Sequence, residues 1–262
     1  MKNINFLKRQ LQELFAKKFF NKNSFDECLL EDQSICSMVA ETQAYMRAVI
    51  PKPYFKYSIY DFTGLSPENE QIISPEIALH AKQKIINYCW GDIDIAKLNC
   101  IDQKELDKTS IMRRRRKFGH NVVIYSGYSD PTGSFKSEQG GKTFCAALIM
   151  KEAIKSRVMG SYEETYEWIE YATLEHMITS CDEVQLSDIK SADWLVVDNI
   201  PPGFTKWKRQ SVDAFFMERI SDRLPTILVF RFDVTRKVEE NILGVAFSQI
   251  IRDDNTTIIG LS

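Results

Sequence analysis

"SEQGGKTFCAALIMKEAI", residues 137–154, places Gly-Gly-Lys-Thr where a polar loop gives way to an apolar helix. The pattern G-x-x-x-x-G-K-[ST] marks a loop whose backbone N–H groups cradle phosphates. Gly141, Lys142 and Thr143 fit the end of that pattern, but its first glycine would fall on Lys136. The match is therefore partial, and the neighbouring sequence has to decide. Just upstream, "NVVIYSG" (121–127) is a short β-branched run ending at glycine, which reads as a buried strand. Strand, loop and helix thus come in the order a phosphate-binding loop requires. At a helix N-terminus the N–H groups and the helix dipole favour an anion. Gly140 and Gly141 would let the backbone approach it. Lys142 would neutralise the outer phosphates, and the Thr143 hydroxyl would ligate Mg²⁺. The competing reading is a glycine turn followed by a solvated lysine.

"ADWLVVDNI" (192–200) supplies a second signal. An apolar strand that delivers Asp198 at its carboxyl end is what a Mg²⁺-positioning aspartate needs, because ligand sites of parallel sheets lie at that edge. A buried strand ending at a turn aspartate is the plainer alternative. Further segments extend the alternation. "SPEIALHAKQKIINYCW" (74–90) has proline just inside a helix start. "SYEETYEWIEYATLEHMI" (161–178) and "KRQSVDAFFMERISDRL" (208–224) also read as helices, and "PTILVFRF" (225–232) and the closing "TTIIGLS" (256–262) as strands. Strands alternating with helices predict an α/β fold, a parallel sheet covered on both faces.

Apolar positions at Phe6, Leu7, Leu11, Leu14, Phe15 and Phe19 predict an amphipathic helix over residues 4–20, and a second helix is expected over Ser34–Val49. Pro51 and Pro53 then break the chain, which sets an expected division into a helical N-terminal region (1–50) and a main domain (51–262). The N-terminal region is too short for a large core, so it should dock on the main domain or on a partner. The formal net charge of −2 exerts no global pull towards nucleic acid, so any basic surface must be local. The local candidate is "MRRRRKFGH" (112–120), whose Arg113, Arg114, Arg115 and Arg116 could contact the backbone of single-stranded DNA or form a solvated basic loop. No apolar run is long enough for a membrane span, and the charged N-terminus does not suit a secretory signal. The six cysteines form no C-x-x-C pair, so they read as reduced thiols in a cytoplasmic protein.

In the order and spacing of these motifs the chain resembles the AAA+ P-loop ATPases of the bacterial helicase-loader group, DnaC and DnaI, with the IstB transposition ATPases as relatives. "IPKPYFKYSIYDF" (50–62) is similar to the lead-in to their ATPase domains. "NVVIYSG" to "GGKTFCAALI" resembles their first strand, Walker A loop and helix, and "ADWLVVDNI" their Walker B strand. "FFMERISDRLPTILVFRF" (215–232) resembles the sensor-1 segment, and "LGVAFSQIIRDDNTTIIGL" (243–261) the closing one. The resemblance implies ATP and Mg²⁺ as ligands, a replicative helicase as partner for the N-terminal helices, single-stranded DNA nearby, and self-association with ATP at a subunit junction. It further implies that Arg219 and Arg231 contact nucleotide.

Several positions depart from the family pattern. Asn199 stands where many AAA+ proteins carry the acid that activates water, and an amide can orient water but cannot take its proton. Arg231 replaces a sensor-1 asparagine. Gln249 stands where the arginine finger would lie, with Arg252 three residues on. The expected function is therefore a weakly hydrolysing, ATP-binding replication accessory protein. An IstB-like transposition regulator and a non-hydrolysing adaptor are the alternatives.

Overall fold

The computed structural model describes residues 41–63, 73–93, 108–126, 141–160, 164–180, 183–202, 206–234 and 244–261. The helix expected over 4–20, the beginning of the one expected over Ser34–Val49, Gly140 and four of the six cysteines lie outside these residues.

Among the described residues five strands form one sheet: β1 (Val122–Tyr125), β2 (Tyr166–Glu170), β3 (Trp194–Ile200), β4 (Thr226–Phe230) and β5 (Thr257–Gly260). Their order is β2-β3-β4-β1-β5, and every pairing is parallel. Helices α1 (Pro75–Trp90), α2 (Lys108–Phe118), α3 (Lys142–Gly160), α4 (Tyr171–Ser180), α5 (Glu183–Ser191), α6 (Lys206–Ser221) and α7 (Val245–Arg252) are interspersed with them. Parallel strands cannot be joined by tight turns, so helices cross over and cover the sheet.

Both faces are packed, as the period-2 pleat dictates. Val122, Ile124, Val196, Ile227 and Val229 face a cluster that includes α1, Met112 of α2 and the apolar residues of α3. Val123, Leu195, Val197, Leu228 and Phe230 face the opposite cluster, built from α4, α5, α6 and α7. The α/β expectation therefore holds.

The chain before the proline pair shares the first cluster. Residues 41–47 are helical, and Ala44, Tyr45, Ala48 and Ile50 are buried there. Lys151, in the middle of α3, donates to the carbonyls of Tyr54 (3.0 Å), Phe55 (2.9 Å) and Tyr57, and its ammonium lies 5.2 Å from the centre of the Tyr45 ring.

One element differs from expectation. Residues 161–178 read as a single helix, but Tyr166–Glu170 form β2 and the helix starts only at Tyr171. β2 pairs with β3 from Tyr166↔Trp194 to Glu170↔Asp198. Tyr166 and Trp168 pack into one cluster and Ile169 into the other. The middle of that segment instead forms an aromatic-rich strand, where such residues are favoured on a pleated surface.

Candidate nucleotide site

All strands point the same way, so the carboxyl ends of β1, β2, β3 and β4 form one edge. β1 ends at Tyr125, and the buried Ser126 follows. α3 begins at Lys142, whose side chain is only 6% exposed and donates to Ser126 Oγ at 2.6 Å. Gly141 precedes it with φ 71°, a left-handed conformation that costs glycine nothing and most other residues strain. Its carbonyl accepts from the Cys145 N–H (3.0 Å), which closes the first turn of the helix. Behind that turn, Tyr54 stacks on Phe144 with centroids 5.5 Å apart, and Tyr57 and Phe62 contact the same ring.

Asp198 lies near the end of β3 and is 1% exposed. The Thr143 hydroxyl hydrogen-bonds its carboxylate, and the Asn199 N–H donates to its Oδ1 at 2.8 Å. Burial pushes the carboxyl up to about 6, and Glu170 adds to the rise, while the two hydrogen bonds and Lys142 act against it. The strand is irregular here. The β3–β4 register shifts between Val197 and Ile200, and Asn199 takes φ 61°. Asparagine tolerates that left-handed region better than most residues. The kink presents the Asn199 side chain to the neighbouring strand, where Nδ2 donates to Glu170 Oε2 at 2.7 Å.

Arg231 follows β4 directly, and its N–H donates to the Ile200 carbonyl at 3.0 Å, so its backbone lies at the same edge as Asp198. Two other expected site residues lie elsewhere. Arg219 is 1% exposed and bonds to the carbonyls of Ile189, Lys190, Ala192 and Pro225 and to Thr226 Oγ1. Thr226 is the first residue of β4, so Arg219 sits at the amino edge of the sheet and does not meet Lys142 or Asp198. Arg252 is exposed at the end of α7, just before β5 begins, again on the amino-edge side. It does not reach the site of its own chain.

The arginine run is helical, lying within α2 rather than in a loop. Arg113 and Arg114 are exposed. Arg115 binds His120 Nδ1 (2.6 Å) and the carbonyls of Tyr88 (3.2 Å) and Asn87 (3.3 Å). Arg116 pairs with Asp193, its Nε 2.8 Å from Oδ1. Arg115 and Arg116 are thus committed to internal contacts.

Thr143 and Asp198 fit a divalent cation chemically: a hydroxyl and a buried carboxylate are already in contact. Among the described residues no group of three or more His, Cys, Asp or Glu side chains forms a self-contained metal site. Mg²⁺ does not need one, because it is held by one or two protein oxygens together with phosphates and water. Glu170 was missed in the sequence because its strand was read as helix; the alternating "YEWIE" was the available signal.

No protein-family model matches the chain. No curated protein matches it either. Among solved structures it is similar to the DnaC helicase loader at 12% identity, over 81% of this chain and 100% of that one, with a TM-score of 0.48. It is also similar to DnaI at 14% identity, over 69% of this chain and 90% of that one, with a TM-score of 0.38. These are distant likenesses, and what establishes the chain as an α/β protein with a phosphate-loop-like strand–helix junction is its own sheet order together with the Lys142–Ser126 and Thr143–Asp198 contacts.

Proposed function

We propose that this chain is an ATP-binding replication accessory protein of the helicase-loader kind. It binds Mg²⁺–ATP between Gly141–Thr143 and Asp198, and it acts on a replicative helicase at single-stranded DNA. The observation that carries the nucleotide reading is the Thr143–Asp198 contact at the carboxyl edge, one residue from a lysine held at the start of α3. In this reading Lys142 exchanges its Ser126 contact for phosphate oxygens, and the N–H groups of the first turn of α3 face the same anion. Thr143 and Asp198 hold Mg²⁺, which when bound neutralises charge on the outer phosphates. The helicase and the DNA rest on the order of sequence motifs and on the exposed half of the arginine run. The non-hydrolysing adaptor remains as a second reading because position 199 carries an amide.

Titrating ATP with and without Mg²⁺ tests the site. The parent should bind more tightly with Mg²⁺, and Asp198→Asn should bind equally in both conditions. Equal Mg²⁺ dependence in the two proteins would remove Asp198 from the site. The ligand-free proteins should also differ in pH response. The Asp198 pKa is higher folded than unfolded, so between about pH 4 and 6 the folded parent binds more protons, and its stability falls as pH rises. The parent should therefore lose up to about 3 kcal/mol across that window through this group, and the variant should not.

The DNA reading has its own test. Replacing Arg113 and Arg114 with serine should weaken single-stranded DNA binding and lower the magnitude of the salt slope by about 1.4, from two lost phosphate contacts. Unchanged affinity at low salt would reduce the pair to a solvated helix face.

A further inference from the structure

We infer that Glu170, at the carboxyl end of β2, is the group that takes the proton of the attacking water, and that Asn199 positions it. This rests on the nucleotide reading above and adds a residue to it.

Position 199 follows the metal-site aspartate, where an acid would ordinarily be sought, and it carries an amide that cannot accept the proton. The structure supplies the missing acid from the adjacent strand. Glu170 is the register partner of Asp198 across the parallel β2–β3 pair, so its backbone lies about 4.8 Å from that strand. The left-handed turn at Asn199 gives its two donors separate targets. Its backbone N–H serves Asp198, and its side-chain amide holds Glu170 Oε2 at 2.7 Å.

The two carboxylates consequently have different environments. Asp198 is buried, and hydrogen bonds from Thr143 and Asn199 occupy it. Glu170 is exposed. Its Oε1 has no hydrogen-bond partner among the described residues, so it can receive a water from solvent. Two acidic groups in unlike surroundings can divide the work, the buried one holding the cation and the exposed one accepting a proton.

The water oxygen forms a bond to the γ-phosphorus of ATP. The bond from that phosphorus to the oxygen bridging the β-phosphate breaks, and its electron pair leaves on ADP. The water proton passes to Glu170 Oε1 and then to solvent or the departing phosphate. No oxidant or further reactant is needed.

The test uses the full chain, measuring Mg²⁺–ATP affinity by equilibrium titration and turnover at saturating ATP. Glu170→Gln should bind ATP within about threefold of the parent, because the substituted side chain touches no ground-state phosphate, while turnover falls about a hundredfold, the low end of the range for general-base catalysis. Asn199→Ala should lower turnover about tenfold with affinity likewise retained, since the carboxylate is still present but no longer held. Exchanging acid and amide across the same hydrogen bond, in the double variant E170Q/N199E, should restore turnover above that of E170Q. A purely structural role for Glu170 would not give that rescue or that split between affinity and rate. Turnover unchanged in E170Q, or a parent that binds ATP but turns over no faster than K142A, overturns the inference and leaves the nucleotide site standing. A parent that binds no ATP overturns both. Should E170Q fail to fold, the N199A measurement decides, with unchanged turnover again overturning the assignment.

Discussion

Lys142→Ala should lose about a thousandfold in ATP affinity while keeping its fold. Truncating one partner of a buried, hydrogen-bonded charge pair costs about 2–5 kcal/mol, and about 4 kcal/mol corresponds to a thousandfold. Lys142 meets the conditions for a value in the upper half of that range. It is the first residue of α3, almost fully enclosed, and already directed at the end of β1 through Ser126. Without it, the anion keeps the N–H groups of the helix start and the Mg²⁺ that Thr143 and Asp198 would hold. Folding should survive for three reasons. Alanine is the best helix former. The bond lost to Ser126 is worth only about 1 kcal/mol. A buried ammonium is also relieved of its desolvation cost. Isothermal titration beside a thermal melt checks both halves. ATP binding as tight as that of the parent would remove the phosphate-loop reading.

Arg219→Ala should have the opposite profile, destabilising the protein by about 3–5 kcal/mol with nucleotide affinity unchanged in the folded fraction. The guanidinium reaches three carbonyls around the end of α5 through Nη1, the Pro225 carbonyl through Nη2 and Thr226 through Nε. It therefore ties the passage from α5 into β3 to the beginning of β4. A cation at a helix C-terminus also meets the negative end of the helix dipole. Truncation would leave several carbonyls desolvated without a donor. Arg219→Lys should recover only part of the loss, because an ammonium cannot reproduce the planar fork of five donors. Urea denaturation and ATP titration measure the two effects. A stability loss below about 1 kcal/mol together with weakened ATP binding would return Arg219 to the nucleotide, as the family resemblance implies.

The contrast between these two residues reflects what a sequence carries. β1, β3 and β4 are buried on both faces over most of their length, so each carries a continuous apolar stretch (VVIY, WLVV and ILVF), and the Lys142 helix after β1 could be located from the asparagine and glycine that bound that strand. β2 lies at the edge of the sheet and carries two glutamates among its aromatic residues. In sequence those aromatic residues also match a helical spacing, and only pairing with β3 resolves the ambiguity. Glu170 was hidden by the same ambiguity, since its nearness to Asp198 is a matter of strand register. Arg219 and Arg116 were misleading for a different reason. A charged residue in a helix gives no local sign that carbonyls or a carboxylate distant in sequence will enclose it.

The clasp between Lys151 and the chain at Tyr54, Phe55 and Tyr57 has a mechanical consequence. α3 starts at Lys142 and carries that clasp two and a half turns further along. The helix thus works as a strut between its own N-terminus beside Asp198 and the segment at residues 54–57. A load applied to the chain just before residue 50 reaches the strut over a short, stiff path rather than through a slack tether. Any body that grips that end holds the start of α3, and with it the proposed nucleotide site, by its handle.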